Sequence, residues 1–283
     1  MDVFQAIRII FSPYHVGLRN HRVGNGPHRI LEYVEIEPVD DYKGEIGRSF
    51  EMMRGISRAV SNAIASKSFP MVLSRNCMAS AAVACGLQVQ DQAFIYFDAH
   101  DDLCSPDVNE NGDLDAMSLS MLRGESWKTL MRSVLSLRLS DYSRFLYCGL
   151  RDQSSMQRQR VIDASMNSIG VNTEKKVELA AELKTQLEER SYSPALVHLD
   201  LDILDDTYGK VNDYQFPSGL LESDLISYME IVPQMAIPPS LTVCSFDPDA
   251  GDGDRIAQTG ARAIVTFVRA LLSKGVVSRI MKE

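Results

Sequence analysis

The sequence has no block of basic residues to set against its acid: 29 Lys and Arg face 38 Asp and Glu, giving a formal charge of -9 and an isoelectric point near 5.1. That balance excludes a non-specific nucleic-acid binder and points to small-molecule partners. No stretch offers the roughly 18 uninterrupted apolar residues of a bilayer span, so no membrane partner is expected. The start, MDVFQAIRIIFSPYHVG, has no basic segment ahead of a long apolar core, and the expected location is the cytoplasm. Cysteine is sparse: Cys77, Cys85, Cys104, Cys148 and Cys244 are odd in number, scattered and without a CxxC pair. This excludes a disulfide framework and a zinc knuckle. There is also no internal repeat, low-complexity tract or Gly/Ser linker, so residues 1–283 read as one domain. The single Trp127 and the thirteen methionines read as core filler.

What is present is an alternation of short apolar runs with longer periodic ones. Strands are expected at 7–11, 71–74, 93–97, 145–150, 195–201 and 241–246. Helices are expected at 44–66, 78–85, 117–122, 156–166, 173–190, 222–229 and 255–272. The strands are apolar on both faces, the signature of a parallel sheet covered by helices on each side.

In such a sheet ligands bind beyond the carboxyl ends of the strands, and the acidic residues gather there. AFIYF runs into Asp98, His100, Asp101 and Asp102. ALVHLDL runs into Asp200, Asp202, Asp205 and Asp206, and LTVCSF into Asp247, Asp249, Asp252 and Asp254. Carboxylates crowded at buried strand ends repel one another unless a cation neutralises them. The third cluster also fits a solvated, helix-capping loop. In the first two, the i, i+2 spacing on an extended segment sets Asp98 with His100 and Asp102, and Asp200 with Asp202, on one side. Carboxylates plus an imidazole suit a divalent ion such as Mn2+. His198, a lone histidine within a strand, reads as a satisfied core residue. The run ENGDLDAM (110–117) reads either as a flexible loop over the site, turning at Asn111 and Gly112, or as a plain surface turn.

DAHDD (98–102) and HLDLDILDD (198–206) resemble the DAHxD and SxDxDxxDP signatures of the arginase/agmatinase (ureohydrolase) family. VGNGP (23–27), FPSGLLESDL (216–225) and SFDPDAGDGDR (245–255) are similar to its further segments. The resemblance implies an α/β three-layer αβα sandwich around a largely parallel, about eight-stranded sheet. It also implies two Mn2+ ions bridged by Asp98 and Asp200, one completed by His100 and Asp202 and the other by Asp102. Asp102 and His100 accordingly read as catalytic as well as ligating. The implied reaction is hydrolysis of a C–N bond in a guanidino, amidino or ureido substrate, releasing urea or a urea-like product and an amine, by a homo-oligomer (trimer or hexamer).

Three departures stand beside the matches. Cys77 occupies the place of the metal-binding histidine of GGDHS, as hydroxyarginine-hydrolysing relatives also do. Its ion is then weak, absent, or a softer metal such as zinc or iron, which leaves the count at two ions or one. Cys77 also starts a helix, where the dipole lowers a thiol pKa and would suit a nucleophile. Ser245 replaces the glutamate that pairs with a guanidinium, leaving Asp247 or Glu222 as candidate substrate partners. Asp115 stands where arginases carry a proton-shuttling histidine. Arg151, after FLYCGL, reads as structural. His15, His21 and His28 carry no assignment. Two alternatives stay open: a silent arginase-like structural or regulatory subunit, and a Cys77-dependent amidine hydrolase or transferase.

Overall fold

The computed structural model describes residues 3–15, 18–19, 33–36, 44–109, 112–134, 141–170, 179–247 and 253–278, with side chains excluded at 14–15, 18–19, 33 and 253–254. Its strands are β1 (Ala6–Ser12), β2 (Tyr14–His15), β3 (Leu18–Arg19), β4 (Tyr33–Glu35), β5 (Ser68–Ser74), β6 (Ala93–Phe97), β7 (Phe145–Cys148), β8 (Asn167–Ile169), β9 (Ala195–Asp200) and β10 (Ser240–Cys244). The helices are α1 (Glu45–Ala65), α2 (Ala79–Leu87), α3 (Ser118–Leu122), α4 (Lys128–Met131), α5 (Ser155–Asp163), α6 (Leu179–Glu189), α7 (Glu222–Ala236) and α8 (Gly253–Lys274). Eight strands form one sheet in the order β4-β1-β5-β10-β9-β6-β7-β8. Every pairing in it is parallel. Strands β2 and β3 form a small antiparallel pair.

The sheet separates two apolar cores, because side chains alternate along each strand. Ile95, Phe97, Val197 and Leu199 point into one core with Phe267 of α8 and Met229 of α7. Phe94, Tyr96 and Leu196 point into the other with Phe50 and Val60 of α1 and Val83 of α2. Helix α1 is amphipathic at a 3–4 spacing, with Phe50, Met53, Ile56, Val60 and Ala63 buried. Each such side chain contributes roughly 1.5–3 kcal/mol when fully buried. β6, β7, β9 and β10 are buried along their whole length, as expected of strands with helices above and below.

All six expected strands form; β5 starts three residues early, at Ser68, and every other end lies within two residues of expectation. The edge strands β4 and β8 were not expected; each has only three residues, and Asn-Ser-Ile is too polar to register as an apolar run. β8 also ends the expected 156–166 helix early, at Asp163. α7 runs to Ala236 through Pro233, past the expected stop at Met229. Of the expected 173–190 helix, Leu179–Glu189 is helical and 171–178 lie outside the described residues.

Consecutive strands β5 and β6 are not neighbours: β10 and β9 lie between them. The carboxyl ends of these four strands therefore open together. Arg151 ties the surrounding loops, donating to the backbone carbonyls of Asp202 (2.7 Å), Phe216 (2.9 Å) and Gly149 (3.2 Å), in keeping with a structural role. Gly219 is required nearby, since a β-carbon there would stand 2.4 Å from the Leu204 carbonyl.

Candidate metal centre

β6 and β9 end in the same local device. The His100 N–H donates to Asp98 Oδ1 at 2.8 Å, and the Asp202 N–H donates to Asp200 Oδ1 at 2.8 Å. Each aspartate thus closes a turn on the backbone two residues on, and Leu201–Ile203 continue as a 3-10 turn. The i, i+2 residues do converge, but through these turns and not through an extended pleat. Asp102 departs furthest: its φ is +51°, and its carboxylate accepts from Tyr96 Oη (3.1 Å) and Ser118 Oγ (3.0 Å).

The imidazole of His100 sits between the two turns. Its Nδ1 lies 3.3 Å from Asp98 Oδ1 and 3.4 Å from Asp202 Oδ2, while Nε2 faces Asp152 Oδ2 at 3.3 Å. Burial disfavours the charged ring, but hydrogen bonds from the ring to Asp152, Asp202 and Asp98 outweigh it and raise its pKa. Burial likewise opposes ionisation of Asp98, yet His100 and His198 hold it down at about 2. Asp200 and Asp102 are pushed well above the usual carboxylate range, first by burial and then by neighbouring carboxylates.

Cys77 follows β5, and its thiol donates to Asp200 Oδ2 at 3.0 Å. The expected lowering of its pKa is overturned. α2 begins only at Ala79, and hydrogen bonding with Cys244, burial and the Asp200 charge push Cys77 up, which removes the support for a nucleophile. Cys244 is the more acidic thiol of the pair: burial opposes its ionisation, but Cys77 and His198 bring it down to about 6. All five cysteines are free.

His198 is fully buried, as expected of a core residue, but it is only half satisfied. Nδ1 bonds Ser80 Oγ at 2.8 Å, and the ring stacks on Tyr96 at 3.9 Å. Nε2 stands 3.4 Å from Asp98 Oδ2, and neither atom has a hydrogen-bond partner. Burial disfavours its charged form, yet Cys244 and Asp98 raise its pKa well above the imidazole range. HLDLD did signal its position, since His198 is in phase with Asp200 along the strand.

Of these residues, Cys77, His100, Asp102, Asp200 and Asp202 floor a cavity of about 270 Å³. Among the described residues, Asp98, His100 and Asp202 present ligand atoms within 4.8 Å of one another, as do Cys77, Asp98, His198 and Asp200, and Cys77, His198 and Cys244. Buried acceptors without partners at Asp98 Oδ2, His198 Nε2 and Asp202 Oδ1 fit a bound cation. Asp102 lines the cavity but belongs to none of these sets.

The rim carries Asp115, Ser245 and Asp247 together with Arg75, Gln157, Asn212 and Tyr214. Ser245 Oγ lies 3.5 Å from Cys77 Sγ, and Asp247 is 3.5 Å from Arg75. Asn212 donates to Asp202 Oδ2 at 3.2 Å, and Gln157 to Asp101 Oδ1 at 3.3 Å. Burial first, then Asp113 and Asp102, raise Asp115 well above the usual carboxylate range. Asp113, Asp115 and Ala116 of the 110–117 run border the cavity, and Gly112 turns at φ +67°; residues 110 and 111 lie outside the described residues. Glu222 is a correction: at the start of α7 it pairs with Arg262 Nη2 (2.9 Å) and Thr259 Oγ1 (3.1 Å), outside the cavity lining. Sequence reasoning missed Asp152, Gln157 and Asn212, none of which belongs to a pattern. The side chains of His15, Asp249, Asp252 and Asp254, and residues His21 and His28, lie outside the description.

A profile of the Arginase family matches residues 11–268. Arginase from Staphylococcus aureus (strain COL) is 22% identical over 300 residues, covering 94% of this chain and 98% of that protein. N(omega)-hydroxy-L-arginine amidinohydrolase from Streptomyces lavendulae is 24% identical over 221 residues, covering 77% and 72%. The crystal structure of arginase from Bacillus cereus superimposes with a TM-score of 0.79 at 15% identity, covering 93% of this chain and 98% of that one. The parallel sheet between two helical layers is the arginase fold. The chain belongs to the Arginase family and is a hydrolase of the class that acts on C–N bonds of amidino groups. Among the described residues, no helix is long and apolar enough to cross a membrane.

Proposed function

We propose that the chain is a metal-dependent ureohydrolase acting on a small modified guanidino, amidino or ureido compound. The observation that carries this reading is the sharing of Asp98 between two ligand sets whose other members Cys77, His100, Asp200 and Asp202 line one cavity. Asp98, His100 and Asp202 would hold one ion, and Cys77, Asp98 and Asp200 a second. When bound, divalent ions such as Mn2+ lower the pKa of water and polarise the carbon under attack.

The chain supplies the rest. Asp152 orients the His100 ring through Nε2, and Asn212 fixes the Asp202 carboxylate. Asp102, held by Tyr96 and Ser118 on the cavity floor, and the protonated Asp115 on its wall are the groups placed to move protons to the departing amine. Ser245 offers a neutral hydroxyl where a carboxylate would pair with a guanidinium, which favours a reacting group with reduced positive charge. Asp113, Asp213 and Asp247 at the rim outnumber Arg75 and favour an amine-bearing tail.

The test is turnover of guanidino, amidino and ureido compounds by protein loaded with Mn2+, alongside elemental analysis of wild type and Asp200→Ala. Two ions per chain and metal-dependent release of urea or a urea-like product are expected. Protein that binds no ion under any loading sinks the reading and favours a silent subunit.

A further inference from the structure

We infer that Cys77, Asp98, His198 and Asp200 form a Zn2+ site, with His198 as a ligand projecting from the body of β9, so that the two positions sharing Asp98 take different metals. This rests on the reading of the cavity floor as a metal centre and goes beyond it in naming a ligand and a metal.

The four ligand atoms, one sulfur, one imidazole nitrogen and two carboxylate oxygens, all lie within 4.8 Å of one another and are buried. Two of these contacts are close: Cys77 Sγ to Asp200 Oδ2 at 3.0 Å and His198 Nε2 to Asp98 Oδ2 at 3.4 Å, while the other Asp98 oxygen, Oδ1, reaches His100 Nδ1 of the neighbouring set at 3.3 Å. His198 is fully buried, and its Nε2 is aimed at Asp98 without a hydrogen-bond partner. The ring is fixed as a ligand ring needs to be. Ser80, at the start of α2, takes Nδ1 at 2.8 Å, and Tyr96 stacks on the face at an interplanar angle of 7°. With Ser80 Oγ accepting from Nδ1–H, Nε2 keeps its lone pair for a metal.

Register explains how His198 arrives there. β6 and β9 pair Tyr96 with His198, and β9 and β10 pair Asp200 with Cys244. His198 therefore lies one pleat below Asp200 on the same face, and Cys244 stands across from Asp200. The Cys244 thiol donates to the Asn76 carbonyl at 3.3 Å and is not grouped with Asp98 and Asp200, so Cys77 is the sulfur of that set.

Sulfur and imidazole suit Zn2+, which binds four ligands of these three types. The neighbouring set of Asp98, His100 and Asp202 has no sulfur, and oxygen-rich sets suit Mn2+.

The test uses the full chain, loaded with Zn2+ and an excess of Mn2+ and dialysed. One Zn2+ per chain is expected to survive excess Mn2+, with X-ray absorption at the zinc edge reporting one sulfur among nitrogen and oxygen neighbours. That measurement needs no variant. Co2+ in place of Zn2+ should give a thiolate-to-metal charge-transfer absorption that Cys77→Ser abolishes and that Cys244→Ser and Asp202→Asn retain. His198→Gln should weaken Zn2+ binding by about a hundredfold or more. Two Mn2+ per chain with no zinc preference would overturn this inference and leave the hydrolase reading standing. So would a zinc shell without sulfur, a band lost in Cys244→Ser alone, or wild-type zinc affinity in His198→Gln. Binding of no ion at all would overturn both.

Discussion

Asp98 and Asp200 sit at the last turn of two neighbouring parallel strands, whereas Asp115, Ser245 and Asp247 sit on the loops above them. The floor is fixed by the sheet: its register sets where each carboxylate starts, and an identical turn at each strand end sets where it points. Its carboxylates are buried. The rim is built from separate segments, each free to change without disturbing the sheet. The departures from the family signatures follow this division. All five of the floor's Asp and His signature residues are kept, while Ser245 and Asp115 at the rim replace a glutamate and a histidine. Cys77 falls between the two, on the loop that leaves β5 but in contact with Asp200. On the proposed reading, chemistry is held by the strands and selectivity by the loops.

The sharpest way to break this division is to change the carboxylate common to both ligand sets. Asp98→Asn should release both ions and lower kcat/KM by about a thousandfold or more, the scale of several kcal/mol of lost charge stabilisation. Asp202→Asn should release only the ion beside His100. Elemental analysis with steady-state turnover reads both. If Asp98→Asn keeps two ions and full activity, the floor is not the reacting centre.

Next in size is the wall. Asp115 is raised, so it stays protonated further up the pH scale than an ordinary carboxyl group and loses its proton as pH rises through the raised value. An acid catalyst of this kind is active below that pKa and inactive above it. The kcat profile should fall on its alkaline side, and Asp115→Asn should lower the plateau by about a hundredfold and remove that limb. Asp115→His should restore a limb. A limb unchanged in Asp115→Asn assigns the proton transfer to another group.

The floor was legible in the sequence because two physical signals coincided there: apolar runs marked buried strands, and acids in i, i+2 phase followed them directly. The turns that bring those acids together were not legible, since an aspartate that closes a turn and one that extends a strand have the same spacing. His198 carried a signal that was read the other way, because burial alone does not reveal which ring nitrogen lacks a partner. Asp152 and Asn212 had no signal at all. Each is a lone polar residue in a loop, and only the fold brings it to His100 or Asp202. The edge strands escaped for a simpler reason: with one neighbour and three residues, they need no long apolar run.

A smaller effect tests selectivity at the rim. Ser245→Glu returns a carboxylate beside the floor, and a charge-assisted hydrogen bond to a guanidinium is worth about 1.5–3 kcal/mol. Ser245 already carries a β-carbon at φ +62°, so the change adds no new demand at that atom. Arginine turnover should rise by about ten- to a hundredfold over wild type, while a neutral ureido substrate should gain nothing. Equal gains for both would separate the effect from charge pairing.

The smallest expected effect guards the boundary of the rim. Sequence alone offered Glu222 as a substitute for the missing glutamate, since it lies in the FPSGLLESDL segment. The fold puts it at the start of α7, where Arg262 and Thr259 of α8 take both its carboxylate oxygens. Hydrogen bonding to Arg262 holds its pKa below the usual glutamate value, so it is an ionised partner of that helix and not a spare carboxylate for substrate. Glu222→Ala should leave KM for any substrate within about twofold of wild type, as expected of a surface change away from the site. A KM rise comparable to that of a rim substitution such as Asp247→Ala would mean that α7 moves its first turn into the cavity when substrate binds. The division between a strand-built floor and a loop-built rim would then have to include a helix end.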